Sequence, residues 1–145
     1  MSDLVLRHDE DGIATLTLNR PDALNALSPS LFVQLRAHVD AIARQTDTVG
    51  CVVLRGEGRS FSAGNDLKAI QSGDVAPTPG FQADTVVKLE ELPQPVIVEV
   101  QGHCYTGALE LALFLPFMAA VLGFVPSRHF NGRSFIKVLN VLVLI

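Results

Sequence analysis

Two apolar runs constrain this chain most: GCVVLRG at 50–56 and PVIVEVQG at 95–102. The first is short, β-branched and bounded by glycines, the mark of a buried strand in a parallel sheet, and the second reads as another strand. A parallel neighbour cannot be reached by a tight turn and needs a crossover, usually a helix. The sequence offers the pieces. IATLTLN, 13–19, alternates apolar and polar residues as a half-buried strand does, and Asn19-Arg20-Pro21-Asp22 punctuates its end. Ser28-Pro29 reads as an N-cap with proline at the first helical position, and Leu31, Leu35, Val39 and Ile42 follow at near-helical spacing. That predicts a helix from 29 to about 45. After a Pro/Gly-rich loop, DVAPTPG at 74–80, FQADTVVKLEEL at 81–92 predicts another. Strand, helix, strand, helix, strand without internal repeat gives an α/β domain with crossover connections.

Size and charge bound the function. The 145 residues make one domain, long enough to bury about two-thirds of the unfolded surface. A net charge of -4, with acids and bases interspersed, provides no basic stripe for a phosphate backbone, so nucleic acid is not an expected partner. Cys51 and Cys104 make no disulfide framework; they fit a reducing compartment and read as buried small side chains rather than nucleophiles. MSDLVLRHDEDG has acids where a signal peptide needs an apolar core, so secretion is not expected and the cytosol or an organelle matrix, mitochondrial or peroxisomal, is. Acidic charge then stops abruptly: Glu110 is the last acid, and 111–145 carries Arg128, Arg133, Lys137 and one histidine. Within it LALFLPFMAAVLGFV, 111–125, is shorter than the roughly 20 residues of a membrane span and is interrupted by Pro116 and Gly123. It reads as buried core or ill-folded apolar tail rather than as a span.

Two segments share one plan of apolar strand, small-residue turn and helix start: VVLRGEGRSFSAGNDLKAI and VIVEVQGHCYTGALELAL. The first N–H groups of a helix have no intrahelical acceptor and sit at its partly positive end. Two such ends, if they converge, make a pair of donors for a developing oxyanion. The plainer reading of SAGND is a turn in which Gly64 supplies a positive φ and Asp66 or Asn65 caps the helix. Glu110 stands three residues after Gly107, on the face of the first turn, where a carboxylate could move a proton on a bound molecule. Leu109, Leu111 and Leu113 are expected to desolvate it and raise its pKa. Equally, an acid in the first helical turn is favourable through the dipole alone.

NRPDALNAL at 19–27, FSAGNDLK at 61–68, Pro95-Val96-Ile97 and then Gly102 to Leu113 resemble, in order and spacing, the signature segments of the enoyl-CoA hydratase/isomerase (crotonase) family. The resemblance implies a crotonase-like (ClpP/crotonase) ββα spiral and an acyl-CoA thioester substrate whose carbonyl is held by two backbone N–H groups while an enolate forms. Carried over by motif, the donors are Asn65 and Gly107, Glu110 matches the first catalytic glutamate, Lys68 lies near the CoA phosphates, and Ala23, Leu24, Ala63 and Leu67 line the CoA path. No metal or redox cofactor is implied, CoA arriving with the substrate. Family members commonly form trimers and hexamers.

The chain also departs from the pattern. The resemblance runs from about residue 4 to 113, which makes 1–113 the N-terminal part of a crotonase-like domain, while 114–145 resembles nothing in the family, and the place of the usual second carboxylate falls near His129 and Phe130. Two expectations follow. One is an acyl-CoA enzyme that hydrates or isomerises an enoyl-CoA, with isomerisation favoured because one carboxylate suits proton shuttling better than addition of water. The other is a catalytically inactive truncated, spliced or frameshifted fragment that binds CoA or pairs with full-length subunits, for which the family's oligomer is doubtful.

Overall fold

The structure, a computed structural model, describes residues 3–113; the apolar tail expected over 114–145 lies outside the described residues. Four strands, β1 (Val5–Glu10), β2 (Ile13–Leu18), β3 (Cys51–Gly56) and β4 (Val96–Glu99), form one sheet in chain order. β1 and β2 are an antiparallel hairpin, whereas β2, β3 and β4 are parallel. The long helix α1 (Pro29–Ile42) makes the crossover from β2 to β3, and α2 (Leu67–Gln71) and α3 (Phe81–Glu90) that from β3 to β4; α4 (Gly107–Leu113) follows β4.

α1 forms where its cap and its apolar spacing agree. The Ser28 hydroxyl accepts the Leu31 N–H at 3.2 Å and Pro29 opens the first turn. Leu31, Leu35, Val39 and Ile42 are all buried, together with Phe32. Five such side chains contribute on the order of 10 kcal/mol before the entropy of ordering is subtracted. They pack over Ala14, Leu16, Leu18, Val52, Leu54 and Val98 of the sheet, with Val86 and Leu89 of α3 completing the cluster. Register explains which residues face inward: Leu16 pairs with Leu54 and Leu54 with Val98, so one sheet face is a continuous apolar row.

Boundaries differ from expectation where local chemistry intervenes. α1 stops at Ile42, three residues short, where the ladder tightens: the Arg44 and Gln45 N–H groups donate only three residues back, to the carbonyls of Ala41 and Ile42. α3 stops at Glu90 rather than 92, since the residue before Pro93 is disfavoured in the helical region. β4 ends at Glu99, and the chain continues as an irregular ladder beside residues 61–62. β1 is unforeseen by the sequence reading. Its polar Arg7-His8-Asp9-Glu10 suits an exposed edge strand, and its signal is Asp11-Gly12, which turns the hairpin at positive φ (49° and 77°). Among the described residues no helix is long and apolar enough to cross a membrane.

Candidate active site

The first loop of interest follows β3. Residues 61–66 run parallel to two other segments at once. On one side the Leu27 N–H donates to the Gly64 carbonyl at 2.8 Å and the Asp66 N–H to the Leu27 carbonyl at 3.0 Å. On the other, Phe61 donates to the Gln101 carbonyl, Ser62 to that of His103, and Tyr105 to that of Ser62. The two segments that share a plan in the sequence are thus side by side, and the turn after β4 is laid against the turn after β3. Gly64, at φ 89°, is required by this contact: a Cβ there would overlap the Thr106 hydroxyl and approach the Tyr105 carbonyl to 2.6 Å. Gly107 is equally tight, a Cβ falling 2.5 Å from Asn65 Oδ1.

Among the N–H groups of these turns that find no acceptor are two at the starts of α2 and α4. In a planar trans peptide the N–H points opposite the carbonyl. The Gly64 carbonyl faces Leu27, so the Asn65 N–H faces away from it and meets no acceptor among the described residues. At α4 the Tyr105 carbonyl takes the Ala108 N–H and that of Thr106 takes those of Leu109 and Glu110. The Gly107 N–H is likewise without an acceptor there. Both residues line one open cleft of about 390 Å³, walled by Phe32 of α1, Phe81 and Val86 of α3 and the loop at 76–80. Glu110 lines it too, and it is the one titratable side chain among the described residues that does.

Glu110 differs from expectation in its surroundings. It is exposed, not desolvated by leucines. Neighbours in sequence lie about 100° apart around a helix, so Leu109 and Leu111, about 160° from each other, take different sides: Leu111 is buried while Leu109 faces out at 42% exposure. Cys51 and Cys104, expected to be buried, are half-buried, and what burial Cys104 has pushes its thiol up.

The five residues expected along a CoA path lie outside the cleft lining. Leu24 and Ala63 are joined through the Ala63 N–H and the Leu24 carbonyl at 2.9 Å. Ala23 is exposed on the short 3-10 turn Pro21–Ala23, and Leu67 and Lys68 are exposed on α2. α2 is capped by Asp66, whose side chain accepts the Ala69 N–H at 2.9 Å, so the plainer turn-and-cap reading of SAGND also holds. That bond holds the Asp66 carboxyl below the usual range; burial opposes it and the Arg20 guanidinium, 2.8 Å away, adds to it.

Arg20 and Asn25 were given no role by sequence reasoning. Asn25 is fully buried at φ 53°, accepts the Arg20 N–H and donates to the carbonyls of Glu57 and Ser60. Their signal was the punctuating RPDALN stretch, whose polar residues join loops rather than merely end a strand. Among the described residues no group of three or more His, Cys, Asp or Glu is placed to hold a metal.

The family model for enoyl-CoA hydratase/isomerase matches residues 8–121. The chain is 37% identical over 120 residues to 1,2-epoxyphenylacetyl-CoA isomerase of Escherichia coli (strain K12), covering 78% of this chain and 45% of the relative. It is 36% identical over 122 residues to a probable peroxisomal enoyl-CoA hydratase of Arabidopsis thaliana, covering 81% and 44%. The crystal structure of an enoyl-CoA hydratase/isomerase from Xanthobacter autotrophicus Py2 superposes with a TM-score of 0.71 at 36% identity, over 78% of this chain and 44% of that one. This chain therefore spans less than half the length of each, with the architecture of the N-terminal portion of the crotonase-like fold. The match extends over most of the sequence, and the chain belongs to the enoyl-CoA hydratase/isomerase family.

Proposed function

We propose that the cleft takes the thioester carbonyl of an acyl-CoA between the N–H groups of Asn65 and Gly107, and that Glu110 moves a proton on the acyl chain. The observation that carries this reading is the pair of N–H groups without acceptors, on two turns locked to each other and lining the same cleft as a carboxylate. In the double-bond migration of an enoyl-CoA, the Glu110 carboxylate takes a proton from carbon. The electron pair delocalises onto the thioester oxygen, where the two donors stabilise it, and the proton returns to a different carbon. Donors held in place before reaction are worth roughly 10²- to 10³-fold each in rate. Ala23, Leu24, Ala63 and Leu67 would line the nucleotide and pantetheine path of CoA, with Lys68 near its phosphates. Nothing in this chemistry calls for a metal or redox group.

A second reading, binding of CoA thioesters without turnover, is favoured by one observation: Glu110 is exposed, and water would compete for it. Turnover of an enoyl-CoA and calorimetric binding of a saturated acyl-CoA separate the two. In the first reading Glu110→Gln lowers turnover by about 10²- to 10⁴-fold and leaves binding unchanged. Binding with no turnover in either protein selects the second, and absence of binding removes both.

A further inference from the structure

The Asn65 N–H has a history that can be followed backward through the backbone. Its peptide unit is the one whose carbonyl, Gly64, accepts from the Leu27 N–H at 2.8 Å. The Leu27 N–H in turn belongs to the peptide unit whose carbonyl, Ala26, accepts from Arg20 Nη1 at 2.6 Å. The same Nη1 lies 2.8 Å from Asp66 Oδ2, and the Asp66 N–H closes the loop on the Leu27 carbonyl at 3.0 Å. A guanidinium therefore donates into a chain of two peptide units that ends on the Asn65 N–H. It also anchors, through Asp66, the residue that follows.

We infer that Arg20 is a positioning residue that aims and strengthens the Asn65 N–H through the Ala26–Leu27 and Gly64–Asn65 peptide units. The inference rests on the carbonyl site proposed above. Hydrogen bonds in series polarise one another, so a charged donor at the head of the chain makes the last N–H a better donor. Planarity transmits direction as well, because rotation of the Gly64–Asn65 unit would break its bond to Leu27. Asp66 keeps the guanidinium in place, the pair being mostly buried at 23% and 10% side-chain exposure. Gly107 receives no such chain: the carbonyl that precedes its N–H is that of Thr106, which accepts within α4.

That asymmetry supplies the test. In the uniformly ¹⁵N-labelled full chain, the amide protons of Asn65 and Gly107 are followed by NMR as acetyl-CoA is added. In the parent protein both move downfield. In Arg20→Met the Gly107 response is retained and the Asn65 response falls by more than half, and Arg20→Lys recovers part of it. Asp66→Asn, which keeps the cap on α2 but removes the charge partner, gives an intermediate Asn65 response. An Asn65 response in Arg20→Met equal to the parent's overturns the inference, and so does an equal loss at both amides, which is what general loosening of the loops produces. Should Arg20→Met fail to fold, Arg20→Lys and Asp66→Asn carry the same comparison, and Asn65 responses equal to the parent's in both overturn it. If neither amide moves in the parent protein, the proposed carbonyl site itself falls, and the inference with it.

Discussion

The layer of α1, α3 and the sheet, and the pair of turns at 57–66 and 101–107, are held by different forces. The first is apolar: Leu16, Leu35, Leu54, Val98 and their neighbours bury methyl and methylene groups that need no particular partner atom. The second, apart from the buried ring of Phe61, is polar and directional. It is joined by isolated backbone bridges, the Asn25 amide bonds, the Ser60–His103 contact at 2.8 Å and the Arg20–Asp66 pair. The site can therefore be undone without unfolding the domain, because errors of a few tenths of an ångström cost a hydrogen bond its geometry but hardly change buried area.

The largest break in this comparison comes from the apolar side. Leu35→Ala, at a fully buried position of α1, is expected to cost about 2–5 kcal/mol in denaturant unfolding and to carry the site down with it. Gly64→Ala attacks the other side. A Cβ there meets Thr106 and Tyr105 at a strained φ, so the turns separate; the enoyl-CoA turnover proposed for the cleft should drop by about 10²-fold or more while unfolding changes by about 1–3 kcal/mol. Equal fractional losses of stability and turnover in the two variants would erase the distinction.

How far the sequence revealed these regions follows the same division. The α1 stripe, the parallel strands and the crossovers were legible because burial imposes a period on residue type, and the stripe of Leu31, Leu35, Val39 and Ile42 is buried as predicted. β1 was not, since an edge strand reading Arg-His-Asp-Glu has no apolar face to betray it. At the site, Asn65, Gly107 and Glu110 line one cleft. The environment of Glu110 was misjudged because flanking leucines in sequence are not flanking leucines on a helix. Arg20 escaped notice because its role depends on carbonyls of Ala26 and Gly64, which side-chain identity does not encode.

The smallest expected effect is one of pH. The Ala69 N–H and Arg20 hold the Asp66 carboxyl below its ordinary value near 3.8. The bound state of that proton is thus more favourable in the unfolded chain, so the pair's contribution to stability is fully present above about pH 4 and is lost as pH falls through the depressed folded value. Asp66→Asn should flatten the acid limb of a thermal-stability profile below about pH 4 and leave the neutral plateau lowered by a small constant. An acid limb identical in the two proteins would show that the pair adds nothing to how the turns are held.

The most direct measurement is the ¹³C resonance of the thioester carbonyl of a labelled acyl-CoA bound to the full chain. Two hydrogen bonds to that oxygen withdraw electron density from the carbon, so the account predicts a downfield displacement on binding, retained in Glu110→Gln and diminished in Gly64→Ala. A bound thioester whose carbonyl resonates where it does in water would contradict it.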